Sequence, residues 1–113
     1  MATVFHIVAA PDWRAACAVG SYEPPSLAEQ GFVHFSHAHQ VAAVANNLYR
    51  SRDDLLVVEF AVERLAAPVV EEDLYDAGEE FPHVYAAIST AAAVAEYRMT
   101  RDEAGDYRFR PDS

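Results

Sequence analysis

The chain contains no lysine: its eight basic residues are all arginine, set against 18 aspartates and glutamates, for a formal charge of -10 over 113 residues. That composition excludes Schiff-base chemistry and the P-loop lysine. A domain this acidic also repels phosphate backbones, which disfavours duplex nucleic acid and anionic lipid as partners. Cysteine is nearly absent: with Cys17 alone, neither an internal disulfide nor a structural zinc site built on several thiolates can form. Long apolar runs are missing as well. The most apolar stretch, Leu55 to Val62, is interrupted by Glu59, whereas a membrane-spanning helix needs about 20 apolar residues. The first residues lack the basic region and apolar core of a secretory signal, so a cytoplasmic location is expected. No G-x-S-x-G elbow and no dinucleotide fingerprint occurs.

Hydrophobic residues make up 52% of the chain and run from Val4 to Phe109 without a long polar tract, as expected of a single self-folding domain over residues 1–113 with a frayed tail at 110–113. Thr3 to Val8 reads as an opening strand. A short helix follows from Pro11 or Asp12 and ends at Gly20, a C-cap. Ser26 and Glu29 have the spacing of a capping box for one helical turn that ends at Gly31. Phe32 to Phe35 reads as a strand, with Ser36 capping the longest helix, His37 to Tyr49. In that helix Val41, Val44, Ala45, Leu48 and Tyr49 form one apolar stripe, and Gln40 and Asn47 fall off it. Leu55 to Val62 is nearly all apolar and so predicts a central strand. Val69–Glu72, Val84–Ile88, Ala93–Met99 and Tyr107–Arg110 are its candidate partners, the last two joined by a turn at Gly105. Helices in the first half and strands in the second predict an α+β fold rather than a doubly wound parallel sheet.

Three segments put polar residues where the pattern calls for apolar ones. His6 sits mid-strand, on the face opposite Phe5 and Ile7. His34 and Ser36 share a face of the second strand, although Ser36 has an ordinary role as a helix cap. His83 and Tyr85 share a face beyond Pro82. Histidine switches between donor, acceptor and proton carrier near neutral pH, so three in strands suggest one site. A metal is not expected. His37 and His39, at i and i+2 of a helix, would diverge by about 200° and could not face one ion. Arg98, Arg101, Arg108 and Arg110 gather near the C-terminus, where facing solvent is their ordinary role.

The segments VFHIV, GSYEPPSLAEQGFVHFSHAHQVAAVANNLY, LLVVEFAVERL and FPHVY together resemble a bacterial family catalogued as domain of unknown function 952. One departure follows Tyr85, where the family tends to Gly-Pro-Leu and this chain has Ala86-Ala87-Ile88. The family's fold is similar to that of ADP-ribosyltransferases. The resemblance therefore implies an ADP-ribosylation-like fold, with short helices in the N-terminal half packed on a mostly antiparallel split sheet. It implies NAD or a related nucleotide as co-substrate, held by His6, Ser26, Ser36, Gln40, Asn46 and Tyr85. His83 stands roughly where many transferases carry a catalytic glutamate, a replacement that weakens the negative field around a ribosyl cation. Glu71, Glu72 or Glu80 could stand in, and the catalytic candidates are His83, His34 and Glu72. The RNA 2'-phosphotransferases of the same broad fold also lack that glutamate, which leaves phosphate transfer to NAD open. Two other possibilities stay beside a small enzyme: a binding module without turnover, and an interaction protein whose histidines are structural.

Overall fold

A computed structural model describes residues 2–111. The expected frayed tail at 110–113 lies partly outside them. Three α-helices, α1 (Ala10–Val19), α2 (Pro25–Gln30) and α3 (Val41–Leu48), all precede residue 49. Of the ten strands among the described residues, β1 (Thr3–Ala9), β2 (Ser21–Tyr22) and β3 (Val33–His34) alternate with the helices; the rest follow them, giving the α+β character the sequence predicts. No helix among the described residues is long and apolar enough to cross a membrane.

The first sheet runs β1-β4-β8, with β4 (Leu55–Ala61) in the middle and β8 (Ala93–Arg98) on its far side, all antiparallel. Strand β4 is buried on both faces, which explains its near-continuous apolar run. Leu56, Val58 and Phe60 point with Val4 and Val8 into the main core, where Trp13 and Ala16 of α1 also pack. Phe60 is fully buried, and burying a side chain of that size stabilises by about 2–3 kcal/mol. Val57 faces the other way, onto Phe5 and onto Val41 of α3. Glu59, on that second face, is satisfied by two hydroxyls: Thr3 Oγ1 and Tyr97 OH each donate to it at 2.7 Å.

The second sheet runs β3-β6-β5, with β6 (Phe81–Val84) central and β5 (Val69–Glu72) at the edge. Here the expected strand Val84–Ile88 divides. Its first residue ends β6, the chain bends at 85–87, and Ile88–Ser89 forms β7, paired with β2. The bend falls on the segment Tyr85-Ala86-Ala87 that follows Phe81-Pro82-His83-Val84.

Two helix starts differ from expectation. Pro24 and Pro25 begin α2 one residue early, so Ser26 lies inside the helix and does not cap it; its Oγ donates instead to the Phe32 carbonyl at 2.9 Å. Ser36 does not cap either, because its backbone is committed to pairing with Phe5. The chain stays extended through His37, makes a 3₁₀ turn at Ala38–Gln40, and only then enters α3. The two C-caps hold as predicted: Gly20 (φ +93°) and Gly31 (φ +86°) are left-handed, the conformation glycine adopts without a Cβ penalty.

The C-terminal hairpin pairs β9 (Thr100–Arg101) with β10 (Tyr107–Arg108), so the strand before the Gly105 turn is β9 rather than β8. Asn46 of α3 clamps it: Tyr107 N–H donates to Asn46 Oδ1 at 2.7 Å, and Asn46 Nδ2 donates to the Tyr107 carbonyl at 3.2 Å. Arg101 reinforces the join by donating to the carbonyls of Arg50, Arg52 and Gly105 while stacking over the Tyr107 ring. Asn46→Ala removes both clamp bonds and leaves the Tyr107 amide without its acceptor. It is expected to lower stability by about 2 kcal/mol in urea unfolding.

Candidate functional site

The two sheets meet edge to edge at a single antiparallel bridge. Phe5 N–H donates to the Ser36 carbonyl at 2.9 Å and Ser36 N–H returns the bond at 2.7 Å. His6, His34 and His83 all border a cleft beside that bridge, which measures about 820 Å³ and is also lined by Tyr22, Phe35, Ser36, Tyr75 and Phe81. The convergence of three distant histidines expected from the sequence is therefore present.

His83 is 1% exposed, yet its Nε2 has no hydrogen-bond partner among the described residues. Alternation along β5 and β6 puts Glu72 on the same face, and Glu72 Oε1 lies 2.9 Å from His83 Nδ1. The same oxygen accepts a short hydrogen bond from Tyr85 OH. These two donors, Tyr85 foremost, hold the Glu72 carboxyl below its usual range, so it is ionised at neutral pH. An ionised carboxylate only accepts, so His83 Nδ1 carries a proton and donates to it. Phe32 stacks on the imidazole with ring centroids 4.3 Å apart and fixes its plane. A buried imidazole oriented by a carboxylate, with its other nitrogen unpartnered, has the components of a general base.

His34 stands directly across from His83 in register, with ring centroids 5.3 Å apart and planes edge to face. Its Nε2 lies 2.8 Å from Gln30 Oε1 and 3.3 Å from Tyr75 OH. Because the Gln30 oxygen can only accept, Nε2 carries the proton and Nδ1 keeps its lone pair. Burial, followed by the neighbouring His83, lowers the His34 pKa and favours the neutral ring.

His6 lines the cleft, but both its nitrogens are occupied by the protein. Nδ1–H donates to the His34 carbonyl at 2.5 Å, and Tyr22 OH donates to Nε2 at 2.7 Å. Burial outweighs the favourable effect of the carbonyl and pushes the His6 pKa down to about 4. His6 thus fastens β1 to β3 as a neutral ring, and Tyr22, whose hydroxyl burial holds protonated, presents the polar atom on that side.

The other expected site residues divide. Ser26 and Ser36 border the cleft, and Tyr85 reaches the site through Glu72. Gln40 and Asn46 are used inside the fold. Gln40, placed outside the apolar stripe by helical periodicity, is buried because the 3₁₀ turn directs it inward: its Nε2 donates to Glu79 Oε1 at 2.7 Å and to the Glu80 carbonyl at 2.9 Å. Asn46 clamps the hairpin. Glu71 pairs with His37 and not with His83. The predicted divergence of His37 and His39 also fails: with His37 extended and His39 in a 3₁₀ turn, their rings lie parallel with centroids 6.0 Å apart. No group of three or more His, Cys, Asp or Glu side chains is placed to hold a metal among the described residues. Tyr22, Gln30 and Tyr75 were not anticipated. Tyr22 and Gln30 lie within the recognised segment but carry no periodic signal, and Tyr75 belongs to a loop outside it.

Residues 7–96 match the family described as Protein of unknown function (DUF952). The chain belongs to the DUF952 family. The structure of this DUF952 chain is similar to the crystal structure of protein CC0527 from Caulobacter crescentus, with a TM-score of 0.82 and 24% identity over 95% of this chain and 94% of that one. It is also similar to the solution NMR structure of CC0527, at a TM-score of 0.71 and 24% identity over 94% and 91%. These likenesses concern the fold. No curated protein matches the DUF952 chain.

A histidine whose folded pKa lies below its unfolded value is protonated first in the unfolded chain. The contribution of neutral His6 is therefore complete above pH 6.5 and is withdrawn as the pH falls from 6.5 towards about 4. In that window stability is expected to drop by roughly 1 kcal/mol per pH unit on account of His6. His6→Gln, which does not titrate, should show a flatter acid limb in urea unfolding followed across the same range.

Proposed function

We propose that this DUF952 chain is a small enzyme of the ADP-ribosyltransferase-like class that binds NAD or a related nucleotide in the histidine-lined cleft. The observation that carries the proposal is the buried, unpartnered Nε2 of His83, oriented through Nδ1 by Glu72. A native fold seldom leaves such an atom unsatisfied without a role for it. A cleft of about 820 Å³ also lies within the ~300–1,000 Å³ of small-molecule and cofactor sites.

Glu72 answers the absence of a glutamate at position 83. A carboxylate one strand away acts through the imidazole, so negative charge supports the site without itself lining the cleft. In a transfer from NAD, the bond between the ribose anomeric carbon and the nicotinamide nitrogen breaks, and nicotinamide leaves with the bonding pair. An acceptor oxygen bonds the carbon, and its proton passes to His83 Nε2. The imidazolium so formed is stabilised by Glu72. The split antiparallel sheet with its helices in the N-terminal half suits this class of fold by analogy.

Calorimetry with NAD and ADP-ribose tests binding, and nicotinamide release tests turnover. Micromolar to millimolar affinity is expected, together with a rate that falls ~100-fold or more in Glu72→Gln and in His83→Ala. Unchanged turnover in both folded variants removes the assignment of His83 as base; no binding of either nucleotide removes the nucleotide.

A further inference from the structure

The C-terminal hairpin gathers positive charge on one face. Thr100 and Arg108 stand opposite one another in register, and side chains two positions apart along a strand share a face. Arg98 and Arg110 therefore fall on the same side as that pair. The other face carries Met99, Tyr107 and Phe109, which pack against the apolar clusters around Val57 and Ala45, so the four polar side chains are turned outward. They line one concavity of about 390 Å³. It shares no lining residue with the histidine cleft.

Three arginines thus converge in a chain that has only eight basic residues against 18 acidic ones. Elsewhere the arginines meet carboxylates. Arg50 pairs with Asp106 and Arg101 with Asp53, and Arg52, in the lining of the histidine cleft, is held by Asp54 in a two-point contact, Nε to Oδ1 at 2.9 Å and Nη2 to Oδ2 at 2.7 Å. The hairpin concavity has no acidic residue among its described lining residues. Asp102 reaches only the Nε of Arg108, at 3.2 Å, and its other oxygen is occupied by the amides of Ala104 and Asp106. Arg108 is therefore steadied at its base, with its terminal amino groups left for another acceptor. Arg98 makes no ion pair among the described residues. Like charges side by side on neighbouring strands repel, and an anion seated between them relieves that repulsion.

We propose that this face of the hairpin binds a single terminal phosphate group, free or carried on a small ester, at a site separate from the histidine cleft. Guanidinium forks match the oxygens of a phosphate, and the Thr100 hydroxyl adds a neutral donor beside them. Paired strands lie about 4.8 Å apart, and two residues along a strand span about 7 Å. A patch of those dimensions surrounds one tetrahedral group. A nucleic-acid backbone needs a row of phosphate contacts and would meet a chain of net charge -10. A carboxylate brings two oxygens and one charge, whereas a phosphate monoester brings three terminal oxygens and nearly two charges at neutral pH, which suits three cations better. The proposal stands independently of the nucleotide reading of the cleft.

Calorimetry at low ionic strength with inorganic phosphate, phenyl phosphate, benzoate and a short single-stranded oligonucleotide tests the site, alongside ¹⁵N NMR of the arginine Nε–H groups and histidine rings. Phenyl phosphate is expected to bind with a Kd on the order of 0.1–1 mM, and benzoate roughly tenfold more weakly. Binding should weaken with added salt and as the pH falls through about 6, where the phosphate takes up its second proton. The Nε–H signals of Arg98, Arg108 and Arg110 should shift while the rings of His34 and His83 stay unmoved. Arg98 and Arg110 are exposed, so Arg98→Gln and Arg110→Gln should remain folded, and each should weaken binding about fivefold or more. Arg14→Gln, at an exposed position of α1, should leave it unchanged. Equal affinity for the two phosphates makes the free ion a sufficient ligand, and tighter binding of phenyl phosphate points to an ester; both support the site. The proposal is overturned if neither phosphate binds, if benzoate matches phenyl phosphate, or if Arg14→Gln weakens binding as much as Arg98→Gln. Binding of the oligonucleotide without binding of either phosphate also overturns it.

Discussion

One pair of backbone hydrogen bonds, exchanged between Phe5 and Ser36, decides the shape of this molecule. It ties the edge of the β1-β4-β8 sheet to the edge of the β3-β6-β5 sheet at a single point, and the imidazole of His6, bonded to the His34 carbonyl, holds the strands there. Had β1 and β3 paired along their lengths, the two sheets would have merged and no cleft would exist. A one-residue bridge joins them while leaving room for the aromatic and imidazole side chains that line the opening. Several departures from expectation have this common origin, because a residue bonded across two sheets cannot also begin a helix.

The electrostatic character of the site follows from where its carboxylates stand. Glu72 is outside the cleft lining and touches it only through His83, and Asp54 silences the lining arginine. What remains in the opening is a set of neutral acceptors and aromatic faces. Burial sets this neutrality: for His6 it outweighs a favourable carbonyl contact, and desolvation of an imidazolium is costly wherever no carboxylate lies alongside. Of the three histidines bordering the cleft, His83 is the one with a carboxylate directly against it, and that contact fixes the orientation of its ring.

Much of this was legible in the sequence where a single period governed a segment. The alternation of β1 placed His6 away from Phe5 and Ile7, the nearly continuous apolar run of β4 announced a central strand, and Gly20 and Gly31 marked helix ends. Legibility failed where long-range pairing overrode local pattern. Ser36 has the composition of a cap but is captured by Phe5; Ser26 is displaced by the two prolines before it; Gln40 turns inward because a 3₁₀ turn, rather than an α-helix, carries it. At the site, His34 and His83 could be named, but their placement directly opposite one another depends on the register of β3 against β6, which no local pattern contains. Glu72 was one of three glutamates until β5 and β6 came into register, and Tyr75 gave no signal because it reaches the cleft from an irregular loop.

The clamp between Asn46 and Tyr107 has a consequence beyond its own two bonds. Strands two residues long do not hold together unaided, so the order of the C-terminal hairpin is borrowed from α3. The Tyr107 amide, sealed against a side chain of that helix, acts as a native gauge: its rate of deuterium uptake follows the undocking of α3, the same helix whose Val44 and Asn47 form one wall of the opening. Motion at the cleft wall is thereby written into an amide 61 positions further along the chain.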